Sequence, residues 1–411
     1  MALITTAWQE IRRLEPSQKS AVVASFLGWM LDAFDFFIMI LILDNVAADF
    51  HTTVKAVAYG VTLTLAMRPV GAFIFGFLAD RYGRRPVLML DVLLFSALEL
   101  ASGFAPDLET LLLLRLLFGI AMGGEWGIGS SLAMESIPAS ARGIVSGLLQ
   151  EGYAVGFLVA TIVYWALFAA VGWRGMFIVG AIPAFLVLFI RAKVPESPAW
   201  AASDRHSIKD MVSSIVRNWK MFLYIVILMS CFNAFSHGTQ DLYKVFLAKQ
   251  LKFDTAGISL LLIVANIGAI AGGLSFGALS EQIGRRRAIL LSSLLAVLVV
   301  PLWAYSTSPA MLGLGVFLMQ FMVQGAWGVV PVHLNELSPP EVRGTFPGFT
   351  YQLGNFVISL AAPLQAGLAE SHGNNYALAL ASTAAVVALA VAAAVFFGPE
   401  RKGVAMHDRQ T

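Results

Sequence analysis

The chain has 411 residues, of which 58% are hydrophobic and only 13% are charged, and its formal net charge is +2. A soluble domain carries about 25% charged residues, so this composition excludes an ordinary soluble protein. The single cysteine, Cys231, excludes an intrachain disulfide. The sequence has no HExxH motif and no obvious pairing of a nucleophile with a histidine, so it indicates no enzyme. It also predicts no cofactor and no metal.

Twelve apolar stretches account for nearly the whole chain, and each has about the 20 residues that cross a bilayer. We therefore predict an all-α membrane protein with twelve transmembrane helices, called spans 1 to 12. Only residues 194–218 form a long polar connection, so we expect a six-helix bundle over 1–193 and another over 219–411. The predicted spans are 20–43, 56–79, 87–104, 108–134, 140–168, 174–192, 219–246, 256–280, 288–305, 310–335, 342–367 and 375–397.

Lys and Arg residues are distributed unevenly between the two sides of the predicted membrane. Four lie in loops on one side: Lys55, Arg174, Lys249 and Lys252. Three lie inside spans: Arg68, Arg115 and Lys244. The remaining 20 of the 27 lie at the termini and in the loops of the other side, called the basic side. Because positively charged loops stay in the cytoplasm, we predict a multi-pass protein of a bacterial-type inner membrane with both termini cytoplasmic.

Span 1 carries two aspartates, Asp32 and Asp35, near its middle. They are three residues apart and therefore share one helical face. A charge at mid-membrane costs about 2.5–3.5 kcal/mol on insertion scales, so these groups should face the bundle interior. Two neighbouring carboxylates repel each other, which favours proton uptake by one of them. The pair is predicted either to couple protons to function or to form a structural ion pair with an arginine.

Span 2 carries Arg68 immediately before Pro69. About 12 residues at 1.5 Å each place this arginine roughly at mid-membrane. A guanidinium beside a proline break suits bidentate capture of a carboxylate. An ion pair with Asp32 or Asp35 is the alternative, and the two arrangements can alternate.

Spans 4 and 5 add further charges at membrane depth. Span 4 carries Arg115 and Glu125, separated by glycines one turn apart that allow close helix packing. Arg115 is expected to pair with Glu99 or Glu125. Glu151 of span 5 is deep enough to need a partner, so we expect it to relay protons or to pair with Arg115.

Span 7 interrupts an apolar run with a polar stripe. His237, Gln240, Asp241 and Lys244 follow the spacing of a single helical face. A carboxylate four residues after a histidine can orient the imidazole, as a residue that carries a proton near neutral pH requires. The stripe is therefore predicted to be functional, although Lys244 is expected either to join it or to reach the membrane surface.

The two halves of the chain are related by a constant shift of 201 residues. Residues 76–85 superpose on 277–286. The same shift superposes Trp126 on Trp327, Glu135 on Glu336, and Arg142 on Arg343. Two copies of a six-helix unit imply a parallel repeat with a central site between the halves. Residues expected to line that site, or else to form hydrogen bonds between helices, are Tyr153, Gln320, Gln324, Trp327, Tyr351, Gln352 and Asn355.

The repeated G-x-x-x-[DE]-[RQ]-x-G-R-R pattern at 76–85 and 277–286 resembles the loop 2–3 signature of the major facilitator superfamily. The resemblance covers essentially the whole chain and implies two pseudo-symmetric six-helix bundles. It also implies a cytoplasmic gate of charged residues that holds the halves in one state; the alternative is that the arginines only anchor the topology. The implied gate comprises Asp80, Arg81, Arg84, Arg85, Glu135 and Arg142, with Glu281, Arg285, Glu336 and Arg343 as its second copy.

The pattern N-x-x-[ST]-H-x-[ST]-Q-D at 233–241 resembles the signature of lactate and pyruvate permeases in the sialate:H+ symporter family. Val245 stands where that signature ends in threonine. The resemblance implies that Asn233, His237 and Asp241 handle substrate and protons. The Arg-Pro of span 2 is similar to that of related di- and tricarboxylate symporters, where the arginine binds a substrate carboxylate. Arg115 resembles the superfamily's span 4 arginine, which is linked to proton transfer.

These features lead to the hypothesis of proton-coupled symport of a small organic monocarboxylate, of the lactate or pyruvate type, by alternating access. The alternatives are a di- or tricarboxylate or sialate carrier of the same fold, and a solute sensor that does not transport. The expected partners are the anion, protons and membrane lipid, without nucleic acid and with the protein as a monomer. The predicted substrate site comprises Arg68, Asn233, His237, Gln240, Tyr351 and Asn355. The predicted proton-coupling residues are Asp32, Asp35, Arg115, Glu125, Glu151, His237 and Asp241.

Overall fold

A computed structural model describes residues 2–203, 207–359 and 361–406. Residues 204–206 of the predicted connection, and residues 360 and 407–411 of the predicted second bundle, lie outside the described residues. Every regular element in the described ranges is a helix. The all-α class predicted from the sequence is therefore confirmed.

The first bundle begins after a short helix, Ala2–Arg13. Gly172, with φ 65°, turns the chain inside Gly152–Val179, so span 5 ends there and span 6 begins. Short helices follow span 1, at Leu43–Asp49, and span 6, at Pro198–Ala202 and Ile208–Arg217. Spans 1 to 4 are Pro16–Leu41, Val54–Tyr82, Arg84–Ser102 and Leu108–Ser136; span 5 starts with Arg142–Gln150, and span 6 finishes with Ile182–Phe185 and Leu186–Lys193.

The second bundle repeats this order, with breaks in three of its spans. Span 7 is Trp219–Gln240, and the chain then continues through Tyr243–Val245 and a π-helical turn, Phe246–Gln250. The remaining spans are Thr255–Ile283, Arg285–Tyr305, Pro309–Trp327 with Val330–Leu337, Phe346–Val357 with Ala361–Ser371, and Tyr376–Phe397.

Nine helices in the described ranges are long and apolar enough to cross a membrane. Spans 3, 6 and 11 are the other three of the twelve. Span 3 has only 19 residues and includes Arg84, Arg85, Asp91 and Glu99, while spans 6 and 11 are divided into shorter helices. Because of these charges and breaks, spans 3, 6 and 11 contain no single helix as long and apolar as the other nine.

Within each bundle, glycines bring one pair of spans into backbone contact, and the two pairs are equivalent: spans 2 and 4 in the first bundle, and spans 8 and 10 in the second. A Cβ on Gly71 of span 2 would lie 1.8 Å from the carbonyl oxygen of Ile120 in span 4. At the 201-residue shift, a Cβ on Gly272 of span 8 would lie 2.0 Å from the carbonyl oxygen of Phe321 in span 10. No side chain fits at either crossing, so the duplication seen in the sequence is also a duplication of packing.

The segments that follow spans 6 and 12 make equivalent hydrogen bonds, each to the bundle that precedes it. Glu196 accepts hydrogen bonds from the backbone N–H groups of Arg84 and Arg85, at the start of span 3. Glu400 accepts from the backbone N–H of Arg286, at the start of span 9. Burial raises the pKa of the Glu196 carboxyl, although backbone N–H donors favour its charged form. In each bundle, the segment after the last span is thus hydrogen-bonded to the start of the third span.

Candidate functional site

A cavity of about 910 Å³ lies between the two bundles, lined by spans 1, 2 and 5 and by spans 7, 8, 10 and 11. All six residues of the predicted substrate site line it: Arg68, Asn233, His237, Gln240, Tyr351 and Asn355. So do the other residues expected there: Tyr153, Gln320, Gln324, Trp327 and Gln352. Of the residues predicted only for proton coupling, Glu151 and Asp241 line it, whereas Asp32, Asp35, Arg115 and Glu125 lie behind the wall.

Arg68 is buried in the wall formed by the first bundle. Its Nη2 atom donates to Asp32 Oδ2 at 3.0 Å, and its Cζ lies 5.5 Å from the centre of the Phe36 ring. This is the only hydrogen bond of the Arg68 side chain within the described ranges. The ion pair with Asp32, one of the two arrangements expected from the sequence, is therefore the one that the structure contains.

The polar stripe of span 7 faces the cavity from the other bundle. His237 Nδ1 lies 3.1 Å from Asp241 Oδ2, and both side chains are partly exposed. Gln240 Nε2 donates to Gln320 Oε1 at 2.9 Å. Asn233 Nδ2 donates to the carbonyl of Met229, within its own helix. The expected contact of histidine with aspartate is therefore present.

The stripe does not extend as far as the helical spacing predicts. The helix of span 7 ends at Gln240, and Asp241 and Leu242 form a turn before the next short helix. Lys244 lies outside the cavity lining and is exposed, whereas its neighbour Tyr243 is buried and lines the cavity. Of the two positions expected for Lys244, the structure shows the one remote from the stripe.

Arg115 is buried behind the wall, away from the cavity. Nη1 donates to Glu99 Oε2 at 2.7 Å, and Nη2 donates to the hydroxyl of Ser102. A side chain at Gly180 would meet both Glu99 and Asp35, which places these two acids side by side. Of the three acids named as possible partners of Arg115, Glu99 is the one it meets.

Glu125 and Asp91 are buried and form no ion pair with any residue that the structure describes. A Cβ on Gly28 would lie 2.1 Å from Glu125 Oε1, and one on Gly124 would lie 3.2 Å from Asp91 Oδ1. Within the described ranges, none of the four carboxylate oxygens has a hydrogen-bond partner. Asp91 is absent from the predicted site, although an aspartate inside span 3 is the same signal that drew attention to span 1.

Glu151 lies where the two bundles meet at the cavity. A Cβ on Gly273 of span 8 would lie 2.0 Å from its Oε1 atom. That oxygen has no hydrogen-bond partner among the described residues. The pairing with Arg115, one of the alternatives expected from the sequence, is not formed.

The first copy of the gate is a compact network at the basic side. Arg84 donates to Asp80 Oδ1 at 2.7 Å and to both carboxylate oxygens of Glu135. Glu135 also lies 3.6 Å from Arg343 of the other bundle. Asp80 accepts hydrogen bonds from the backbone N–H groups of Gly344 and Thr345, which precede span 11. Acids of the first bundle thus hold the second bundle.

In the second copy of the gate, acids of the second bundle contact the first bundle. Arg285 pairs with Glu281 at 2.7 Å and with Glu336 at 3.0 Å. Glu281 accepts a hydrogen bond from the backbone N–H of Gly143 at 2.6 Å, and Glu336 lies 3.9 Å from Arg142. These contacts join the second bundle to the start of span 5 in the first.

Two arginines of the predicted gate stand apart from its ion pairs. Arg81 lies 5.5 Å from the ring of Tyr82, and Arg85 donates to the backbone carbonyl of Arg191. Neither side chain forms an ion pair with a described residue. The network therefore brings together eight of the ten predicted residues.

The contacts of the predicted gate join the two bundles at the basic side of the molecule. The cavity lining comes from the middle of the spans and from their halves remote from the gate, such as Thr62 of span 2 and Leu262 of span 8. At the gate, by contrast, the two bundles are joined by buried hydrogen bonds. The cavity is therefore separated from the basic side.

Comparison with known proteins identifies the family. The model of the family described as "Sugar (and other) transporter" matches residues 20–220 and 221–402. The sialic acid transporter NanX of Escherichia coli (strain K12) is 31% identical over 368 residues, covering 88% of this chain and 89% of that protein. A carboxylic acid transporter protein homolog of Saccharomyces cerevisiae is 29% identical over 430 residues, covering 95% of this chain and 70% of that protein.

The fold also matches solved structures. The crystal structure of a double tryptophan mutant of XylE superposes with a TM-score of 0.73 at 19% identity, covering 95% of this chain and 98% of that one. At that identity the likeness concerns the fold of two six-helix bundles. Together with the family match over nearly the whole length, it establishes that the chain belongs to the sugar (and other) transporter family of the major facilitator superfamily and is a membrane transporter.

Proposed function

We propose that the protein is a secondary active transporter that carries a small organic monocarboxylate, of the lactate or pyruvate type, together with protons. The observation that carries this proposal is the position of Arg68. Among the described residues, Arg68 is the only arginine that lines the cavity. Only one of its side-chain nitrogens is hydrogen-bonded to a described residue. A guanidinium in this setting suits a carboxylate ligand because it binds both oxygens of the anion.

Proton coupling follows from the ion pair between Arg68 and Asp32. A substrate carboxylate that binds Arg68 competes with Asp32, since both need the same guanidinium. Protonation of Asp32 removes that competition, and an unpaired ionised carboxylate would be costly to leave in the membrane interior. The anion and the proton therefore favour each other's binding.

The span 7 stripe supplies the second proton-handling group. His237 and Asp241 are partly exposed to the cavity and 3.1 Å apart, so a proton from solvent reaches them directly. A protonated imidazole adds positive charge opposite Arg68. Asn233 and Gln240 of the same helix, with Tyr351 and Asn355 of span 11, provide the polar contacts that orient the anion.

Release of the substrate requires the gate to open. We propose that residues 1–193 and 219–411 rock against each other about the cavity while 194–218 link them. In the orientation suggested by the basic side, the gate and both termini lie in the cytoplasm of a bacterial-type inner membrane. The closed gate then corresponds to a state that receives substrate from outside.

A larger acid is the second candidate, because one relative, 31% identical, is named for sialic acid. The cavity volume of about 910 Å³ accommodates such a ligand. A sialate or a di- or tricarboxylate should then compete with lactate for uptake. Competition across acids of increasing size separates the two candidates.

Uptake by proteoliposomes tests the transport proposal directly. We expect labelled lactate or pyruvate to accumulate when the outside is acid and to fall to the equilibrium level when an uncoupler dissipates the gradient. Equal uptake with and without the gradient would contradict proton coupling.

Arg68→Ala tests the assigned role of the arginine. Charge-assisted hydrogen bonds contribute about 1.5–3 kcal/mol each, so the variant should bind the carboxylate at least about 10-fold more weakly. Arg174→Ala is the matched control, because Arg174 forms a half-exposed pair with Asp49 outside the cavity. Undiminished uptake by Arg68→Ala would remove Arg68 from the substrate site.

A further inference from the structure

A second pocket lies at the basic side of the second bundle, outside the central cavity. It has a volume of about 510 Å³ and is formed by the start of span 9, the end of span 12 and the segment that follows span 12. Its charged lining residues are Arg286, Arg287, Lys402 and Glu400. Three cations and one acid give this pocket, called the basic pocket, a positive charge.

Hydrogen bonds hold one wall of the basic pocket in place. Glu400 accepts from the backbone N–H groups of Arg286 and Lys402, at 3.0 and 3.1 Å. The next residue along the chain, Gly403, donates its backbone N–H to Glu336 of the gate at 3.0 Å. The segment that carries Lys402 is therefore fixed both to the start of span 9 and to the gate.

Among the described residues, none of the three cations of the basic pocket forms an ion pair. The side chain of Arg286 donates to backbone carbonyls at the end of span 12, and that of Lys402 donates to the carbonyl of Glu281. Arg287 is exposed, and its side chain has no hydrogen-bond partner within the described ranges. Because carbonyl acceptors carry no net charge, the pocket keeps a positive charge that attracts an anion.

The internal repeat shows that two of these cations are particular to the second bundle. In the first bundle, the indole Nε1 of Trp200 donates to the backbone carbonyl of Asp80. Lys402 donates to the carbonyl at the equivalent position of the second bundle. At the same 201-residue shift, Arg287 stands in the place of Pro86. The first bundle thus has a neutral indole and a proline where the second bundle has two cations.

An apolar surface adjoins the basic pocket. Phe396 lines the pocket and is 58% exposed, and its neighbour Phe397 is 85% exposed. Leu291, Leu294 and Leu298 form an exposed stripe along span 9. In a membrane transporter, an exposed apolar surface on the spans faces the acyl chains of the bilayer. The basic pocket therefore lies where the lipid-facing surface of spans 9 and 12 meets the basic side.

We propose that the basic pocket binds an anionic phospholipid of the leaflet at the basic side. Arg286, Arg287 and Lys402 attract the phosphate of the headgroup, and the acyl chains follow spans 9 and 12. Basic pockets beside membrane helices favour anionic headgroups because each cation near the membrane surface adds electrostatic attraction. The bound lipid joins span 9 to the segment that contacts the gate, so it favours the closed gate. This inference does not depend on which substrate is carried.

Native mass spectrometry of the intact, detergent-solubilised protein tests the proposal by titration with phosphatidylglycerol. Phosphatidylcholine is the comparison, because its headgroup has the same phosphate but no net charge. We expect one phosphatidylglycerol to bind about 10-fold or more tightly than phosphatidylcholine. Equal binding of the two lipids would overturn the proposal. Binding of inorganic phosphate without a preference for phosphatidylglycerol would overturn the lipid in favour of a free anion.

Substitution of the two cations that are particular to the second bundle tests the location of the site. Arg287→Gln combined with Lys402→Gln should weaken phosphatidylglycerol binding about 10-fold or more. Binding of phosphatidylcholine should remain unchanged, which also shows that the variant is folded. Lys193→Gln combined with Lys209→Gln is the matched control, because it removes the same charge from exposed residues outside the pocket. An equal loss in both double variants would mean a general effect of net charge and overturn the assigned pocket.

Discussion

Individual buried acids in the first bundle have two kinds of environment. Asp32 and Glu99 contact arginines, whereas Asp91 and Glu125 have no hydrogen-bond partner among the described residues. An ionised carboxylate without a partner is costly in a low-dielectric interior. We therefore predict that Asp91 and Glu125 are neutral, protonated acids. They lie in the same bundle as the ion pair between Arg68 and Asp32, so they are candidates for storing protons.

Replacing acids by their amides tests this difference. Asp91→Asn exchanges one neutral group for another and should change the free energy of unfolding by less than about 1 kcal/mol. Glu135→Gln removes a charge that Arg84 and Arg343 require, and breaking such a buried pair costs about 3–5 kcal/mol. Thermal unfolding of the detergent-solubilised proteins measures both. A loss in Asp91→Asn as large as that in Glu135→Gln would mean that Asp91 is ionised.

Glycines allow pairs of spans to pack with their backbones in direct contact. In span 4, a Cβ on Gly119 would lie 2.3 Å from the carbonyl oxygen of Thr64, and one on Gly123 would lie 2.1 Å from that of Arg68. Because both obstacles are backbone atoms of span 2, no rotamer change can relieve the clash. The glycines of span 4 thus set the position of the backbone that carries Arg68.

Gly123→Ala should therefore disrupt both packing and transport. Overpacking of this kind costs about 1–3 kcal/mol, and it displaces span 2 at the substrate-binding arginine. Gly367→Ala is the matched control, because a Cβ at Gly367 meets no atom within 4 Å. The control should be neutral or stabilise its helix by up to about 1 kcal/mol. Thermal unfolding and uptake measure the two variants, and wild-type behaviour of Gly123→Ala would contradict the close contact.

Across the whole molecule, the gate connects the two bundles by reciprocal contacts. Asp80 of the first bundle caps the backbone before span 11, and Glu281 of the second bundle caps the start of span 5. In the proposed alternating-access cycle, these bonds break when the basic side opens. We therefore expect them to set the balance between the closed and open states, because a conformational equilibrium depends on the contacts that differ between its two states.

Asp80→Asn should shift this equilibrium toward opening at the basic side. It weakens charge-assisted bonds to Arg84, Gly344 and Thr345, and losing about 1.4 kcal/mol already changes the populations 10-fold. Ser146→Cys in a Cys231→Ser background reports the opening, because Ser146 is buried against the other bundle. We expect its labelling by a thiol reagent to accelerate about 10-fold.

Asp107→Asn is the control for the gate experiment. Asp107 caps span 4 at the side remote from the gate, and its exposed carboxylate accepts from the backbone N–H of Thr110. Asparagine is an equally good cap, so labelling should remain at the wild-type rate. Unchanged labelling in Asp80→Asn itself would show that the gate does not control access.

The sequence by itself determined the all-helical class, the order of the spans and the twofold repeat of the bundles. Hydrocarbon requires about 20 apolar residues for each crossing, and the constant 201-residue shift is visible without coordinates. It also indicated which charged residues lie at membrane depth, because each such charge is costly there. The six residues predicted for the substrate site all line one cavity, although their roles remain predictions.

Only the tertiary structure decided which of these groups meet. Helical spacing gives the face on which a residue lies but not the neighbour that this face contacts, so Arg115 had several candidate partners and met Glu99. Spacing also continued through Asp241 to Lys244, whereas the helix ends at Gln240. Two further features emerged only from packing between residues far apart in the chain: Asp91 has no hydrogen-bond partner among the described residues, and the rings of Trp126 and Tyr351, from different bundles, are in contact. Such contacts depend on how helices pack and rotate against one another, which local sequence periodicity does not encode.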